Sequence, residues 1–162
     1  MKSVRLILDN VRSAHNVGSI FRTADAAGVE RLYLCGITPA PVDRFQRINQ
    51  EIKKTSLGAT DTVAWEQLGD GTDRATDKIL ALVKDLREKG YAIVAVEQHT
   101  EAIKLFDFSA PGKVAYILGA EVEGVQPEVL SCVDYKVEIP MAGEKESLNV
   151  SVVAGIILFQ KS

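Results

Sequence analysis

Short apolar runs recur along the chain and are separated by polar stretches of a different period. Val4–Leu8, Arg31–Cys35, Thr62–Trp65, Tyr91–Val96, Lys113–Leu118 and Tyr135–Ile139 read as strands. Tyr91–Val96 lacks the alternation of a half-exposed strand and is expected to be buried on both faces, as in a parallel sheet. Between the strands the period changes to three and four. Val17, Ile20, Phe21, Ala24 and Ala27 mark a helix that starts with Asn16 as its N-cap and stops at Gly28. Further helices are predicted from about Asp73 to Lys89, closed by Gly90, and from Pro127 to Cys132, opened by its proline. The last helix, Leu148 to Gln160, is apolar almost all round, so it is either core or partly an interface. Pro41 to Thr60 is polar and irregular, with a helical turn or two carrying basic residues. Glu97 to Gly112 is a connection anchored by Phe106 and Phe108.

Strands alternating with helices predict an α/β fold: a mostly parallel sheet flanked by helices. In such sheets ligands gather beyond the carboxyl ends of the strands. That rule collects Asp9–Asn16, Gly36–Pro41, Glu97–Thr100, Gly119–Gly124 and Ile139–Ser147 at one edge. The loop from Ile139 to Ser147, pinned between a strand and an apolar helix, is the strongest ligand candidate.

At 162 residues the chain is expected to form a single domain, residues 1–162, with no appended domain. A hydrophobic share of 46% and a charged share of 25% are ordinary for a globular protein, and no apolar run approaches a membrane span. Charge returns too soon after Met1 for a secretory leader, so a cytoplasmic location is expected. Cys35 and Cys132 sit in apolar contexts and read as small buried hydrophobes. A net charge of −3 argues against coating nucleic acid by bulk charge, yet leaves room for a local basic patch.

The chemistry-bearing residues narrow the choice. Gly119-Ala-Glu121-Val-Glu-Gly124 allows a close backbone approach to a ligand, but it lacks the Lys-Ser/Thr of a phosphate loop. Arg22 falls on the inner pattern of its helix, where an arginine needs a partner, and a structural salt bridge is the plain reading. Asn16 reads more simply as a cap than as a catalytic group. His15, His99, Cys35 and Cys132 show no zinc spacing, so no metal is expected. No Gly-x-Ser-x-Gly elbow supports a hydrolase.

Three segments taken together resemble the ordered motifs of the SpoU (TrmH-type) branch of the SPOUT RNA methyltransferases. They are Asn16–Gly28, Leu118–Val125, and Ile139-Pro-Met141 with Ser147-Leu-Asn149-Val-Ser151. The resemblance spans nearly the whole chain. It implies transfer of a methyl group from S-adenosyl-L-methionine to a ribose 2′-hydroxyl of tRNA or rRNA, a homodimer, and a C-terminal deep trefoil knot, an exception to the rule against threading. By the same resemblance the cofactor lies against Glu97, Gln98, Gly119, Ile139, Met141, Ser147 and Leu148. Arg22 stands at the reacting hydroxyl, as base or as phosphate clamp and from either subunit, with Asn16, Glu121, Ser147 and Asn149 fixing geometry. An arginine rarely gives up its proton, which favours the clamp. Arg12, Arg44, Arg47, Lys53, Lys54 and Lys145 are then the expected RNA contacts. Val122 and Val125 depart from the usual second motif, which has Gly and Leu there. A non-catalytic RNA-binding or regulatory protein on the same fold is the rival reading, against which intact Arg22, Asn16 and Asn149 weigh.

Overall fold

The structure is a computed structural model that describes residues 2–160. Among these residues the apolar runs form strands β1 (Ser3–Asp9), β2 (Arg31–Cys35), β3 (Trp65–Leu68), β4 (Ala92–Val96), β5 (Ile103–Lys104), β6 (Lys113–Gly119) and β7 (Tyr135–Glu138). They make one sheet in the order β3-β2-β1-β6-β4-β7-β5, and every strand pairing within it is parallel. All carboxyl ends therefore share one edge.

Alternate residues of the central strands feed two cores. Leu6, Leu8, Leu32, Leu34, Val94, Tyr116 and Leu118 face helices α1 (Ala14–Ala27), α2 (Gln50–Ser56), α3 (Ala59–Thr62) and α6 (Val150–Phe159). Ile7, Tyr33, Ile93, Ala95, Ala115 and Ile117 face α4 (Thr76–Glu88) and α5 (Pro127–Leu130). Both faces of the middle strands are thus dry, which is why their sequences run apolar without alternation. Gly18 lets α1 lie close to α2, since a Cβ there would fall 2.9 Å from the Ile52 carbonyl oxygen.

Several expectations are corrected. Ser13, not Asn16, caps α1: its side chain accepts from the Asn16 N–H, so the Asn16 side chain is free for other work. The third strand starts at Trp65, because Thr62 and Val63 close α3 instead. Helix α4 starts at Thr76 rather than Asp73, after Asp73 and Ala75 have been drawn into a turn by the Asp73 carboxylate. Gly90 does end that helix, at φ +86°, with the Tyr91 N–H closing on the Leu86 carbonyl. In the Glu97–Gly112 connection Phe108 is buried, but Phe106 is 74% exposed and Leu105 takes the anchoring place. Cys132 is exposed while Cys35 is buried, where burial pushes its thiol pKa up. Helix α6 is not simply core: Val152 is 48% and Phe159 58% exposed. Among the described residues no helix is long and apolar enough to cross a membrane.

Candidate active site

Beyond the ends of β4, β6 and β7 the chain leaves a cleft open to solvent. Its walls include Glu97, Gln98, Gly119, Ile139, Met141, Ser147 and Leu148, all seven residues singled out from the sequence for a cofactor. Val96, Leu118, Ala120, Glu121, Val150 and Val153 complete it. The parallel sheet explains the convergence, since each wall segment leaves its strand at the same edge.

Close backbone contacts shape the floor. After β6 the chain folds back on itself, with the Gly124 N–H donating to the Ala120 carbonyl at 2.8 Å. A Cβ on Gly119 would lie 2.1 Å from the Gly124 carbonyl carbon, so no other residue fits this fold-back. Gly124, at φ +70°, gives way to the Glu97 carboxylate, which would be 2.5 Å from a Cβ placed there. That carboxylate accepts from the Val125 N–H at 2.8 Å. Burial raises the Glu97 pKa, against the lowering effect of the Val125 N–H and of His99. On the opposite wall the Gln98 amide donates to the Ile139 carbonyl at 2.7 Å and holds the ligand loop to the end of β4.

At the cleft's rim the three motif segments meet through side chains. The Asn16 amide donates to the Glu121 carboxylate, and the Asn149 amide donates to the Asn16 carbonyl oxygen at 3.2 Å. Asn149 also caps α6, accepting from the Ser151 N–H at 2.9 Å and its hydroxyl at 2.6 Å. Residues 16, 121 and 149 are thereby linked in one line, with Ser147 and Glu121 both on the cleft wall. Arg22 is not brought to this group within the chain. It is exposed on the α1 stripe shared with His15 and Ala26, and makes no ion pair among the described residues. The expected structural salt bridge is therefore absent there, because the helix turns this position outward.

The basic residues are dispersed along the surface. Arg12 lies 3.8 Å from Glu123, and Arg47 pairs with Asp43 at 2.7 Å. Arg44 stacks on Phe45, Lys53 borders a hollow beside Trp65, and Lys54 and Lys145 are exposed. Val122 is 97% exposed at a loop tip, so its departure from the common motif costs no packing, and Val125 fills the second core. No group of three or more His, Cys, Asp or Glu among the described residues is arranged to hold a metal.

One element of the site escaped sequence reasoning. Asp9 is fully buried and accepts from the Gln126 N–H and side-chain amide, each at 2.8 Å, and from the Asn10 amide at 2.7 Å. It ties the end of β1 to the segment after Gly124. The available signal was a lone carboxylate closing the apolar run Leu6–Leu8.

A parallel α/β domain with a glycine-folded cleft at its carboxyl edge, roofed by an apolar helix, defines the class. The chain belongs to the SpoU rRNA Methylase family, whose model matches residues 3–159. The 23S rRNA (guanosine-2′-O-)-methyltransferase RlmB of Salmonella typhi is 36% identical over 155 residues, which are 96% of this chain and 58% of that protein. The chain thus spans somewhat more than half the length of the curated relatives it matches. The A. aeolicus TrmH/SpoU tRNA modifying enzyme superposes with a TM-score of 0.78 at 30% identity, over 98% of this chain and 73% of that one. The SpoU methyltransferase AviRb of Streptomyces viridochromogenes, crystallised with AdoMet, gives a TM-score of 0.81 at 25% identity, over 98% and 56% of the respective chains.

Proposed function

We propose that the chain is an S-adenosyl-L-methionine-dependent RNA methyltransferase acting on a ribose 2′-hydroxyl of rRNA or tRNA. The observation that carries this reading is the line Asn149–Asn16–Glu121, which joins the three motif segments at the rim of the cleft. The names of the relatives and the AdoMet held by AviRb support it.

The donors and walls present fit the cofactor. Ile139, Met141, Leu118, Val150 and Val153 offer apolar surface for an adenine, and the Glu97 carboxylate offers one negative charge to a cation. Gln98 already holds the Ile139 carbonyl and so keeps the ligand loop in place before binding. When bound, the group supplies an electrophilic methyl on a sulfonium. The chain's own part is positioning, which can supply much of the rate of a displacement whose acceptor must approach in line. Asn16, held between Glu121 and Asn149, and Ser147 on the wall orient the acceptor side. Arg22 acts as clamp for the adjoining phosphate, because a guanidinium keeps its proton and suits a phosphate's oxygens.

Arg22 faces outward in its own chain, and the exposed apolar positions of the neighbouring α6 favour a homodimer in which Arg22 of the partner subunit completes the site. The same reading includes a deep trefoil knot. Its support is that β7, late in the chain, lies between the earlier β4 and β5 instead of adding at the sheet's margin. Arg12, Arg44, Arg47, Lys53, Lys54 and Lys145 are proposed to meet RNA phosphates.

Calorimetry with S-adenosyl-L-methionine, paired with labelled-methyl incorporation into rRNA and tRNA, tests the reading. Binding and incorporation are both expected. Absence of cofactor binding at millimolar concentration would sink it. Arg22→Ala is expected to keep cofactor binding and reduce incorporation by at least a hundredfold, about 3 kcal/mol of transition-state stabilisation.

A further inference from the structure

A second feature on the same sheet edge carries an aromatic residue, Phe45, that the chemistry above leaves unused. After β2 the chain makes a tight projecting turn, closed by the Val42–Ile48 bridge and by the Asp43 carboxylate. That carboxylate accepts from the Phe45 and Arg47 N–H groups at 2.8 and 3.0 Å and from the Arg47 side chain at 2.7 Å. These bonds lower the Asp43 pKa, the Arg47 N–H first. The turn holds Phe45 at its tip, 63% exposed. The Arg44 and Arg47 guanidiniums stand over its ring at 4.8 and 5.0 Å.

Beside this turn lies a groove walled on its far side by Gly69–Thr72, the turn that follows β3, with Asn49 and Gln67 supplying amide groups. Asp70, the other carboxylate there, is consumed by the Thr72 N–H and hydroxyl at 2.9 and 2.5 Å. Both carboxylates are held to their turns and stay ionised, with Asp43 matched by Arg47, and Arg44 makes no ion pair among the described residues. What remains is an exposed aromatic ring carrying guanidinium planes, with amides in the same groove. That combination matches an unpaired nucleobase with a neighbouring phosphate: aromatic rings and guanidinium planes both stack on bases, the unpaired Arg44 meets phosphate oxygens, and amides can read a base edge.

We propose that Phe45, with Arg44 and Arg47, is a stacking platform for an unpaired base of the substrate RNA, in the groove between the turns after β2 and β3. This rests on the reading of the chain as an RNA methyltransferase and deepens it: Arg44 and Arg47, there phosphate contacts, join Phe45 in a site for one base. Sheet order places the platform. The groove lies over β2 and β3 and the cleft over β6 and β4, about three strand spacings apart, roughly 14 Å along the same edge. The stacked base therefore lies a few nucleotides from the methylated ribose, and the substrate is single-stranded or looped over that span.

The test measures methyl transfer and binding with the substrate RNA found by incorporation, using full-length wild type, Phe45→Ala, Phe45→Trp and Arg44→Gln. Phe45→Ala is expected to raise KM and Kd for RNA about tenfold, with kcat, the cofactor Kd and the salt slope unchanged. Phe45→Trp is expected to restore affinity and to add a fluorescence quench on RNA binding beyond that of Trp65. Arg44→Gln is expected to lower the salt slope by about one. Wild-type RNA affinity in Phe45→Ala, with a wild-type melting temperature, would overturn the platform while leaving the methyltransferase reading intact, and would assign the patch to a protein partner or to solvent. Cofactor binding without any RNA binding in the wild type would overturn both.

Discussion

Gly119 and Glu97 show how single residues hold the cleft. A methyl at 119 would meet backbone, not a side chain that can swing away, so Gly119→Ala is expected to destabilise by about 3 kcal/mol and to abolish cofactor binding. Thermal melting and calorimetry read both effects. Because burial raises the Glu97 pKa, its contribution to stability is fully present below the unfolded pKa and is lost as pH rises through the raised folded value. Glu97→Gln keeps an acceptor for the Val125 N–H and removes the charge. Its melting temperature is expected to equal or exceed that of wild type at neutral pH, with the difference closing as pH falls into the ordinary carboxylate range; a deficit independent of pH would contradict this. Asn16 carries a different lesson. Its identity in the sequence suits a cap, but Ser13 three residues earlier takes that duty, and only then can the Asn16 side chain bridge Glu121 and Asn149. The competition between two good caps is decided by where the chain leaves β1.

Helix boundaries follow the same logic at the scale of elements. Ser13→Ala should cost about 1 kcal/mol, measured by chemical denaturation, with α1 otherwise retained. Strand cores were legible because both faces of a parallel sheet demand apolar side chains, whereas ends depend on local competitors: Val63 belongs to a helix end although it looks like strand. Helix α6 was legible as apolar but not as half exposed. Its Val150, Ala154 and Ile157 are buried, while Val152 and Phe159 are not. Val152→Lys is expected to leave the far-ultraviolet dichroism unchanged and shift sedimentation to the monomer; a variant that stays dimeric would move the proposed interface elsewhere.

Across the whole molecule, the proposed partner-supplied Arg22 makes activity a property of two chains. Arg22→Ala and Asn149→Ala, each inactive by itself, should recover about a quarter of wild-type incorporation when unfolded and refolded together, since half the dimers are mixed and each of these has one intact site. No recovery would place Arg22 and Asn149 in the same subunit's site.

Local patterning determined much of this protein. The βα alternation, the carboxyl-edge position of the loops and the identities of the cleft residues all follow from periodicity, turn residues and the resemblance of three short segments. Those signals are local, because a residue's face and a helix's stop are set within a few positions. Only the tertiary structure decided what touches what. The insertion of β7 between β4 and β5, the burial of Asp9 under Gln126, the joining of residues 16, 121 and 149, and the outward turn of Arg22 depend on strand order and on packing across more than a hundred residues. No periodicity encodes such distances, since many strand orders bury the same apolar runs equally well.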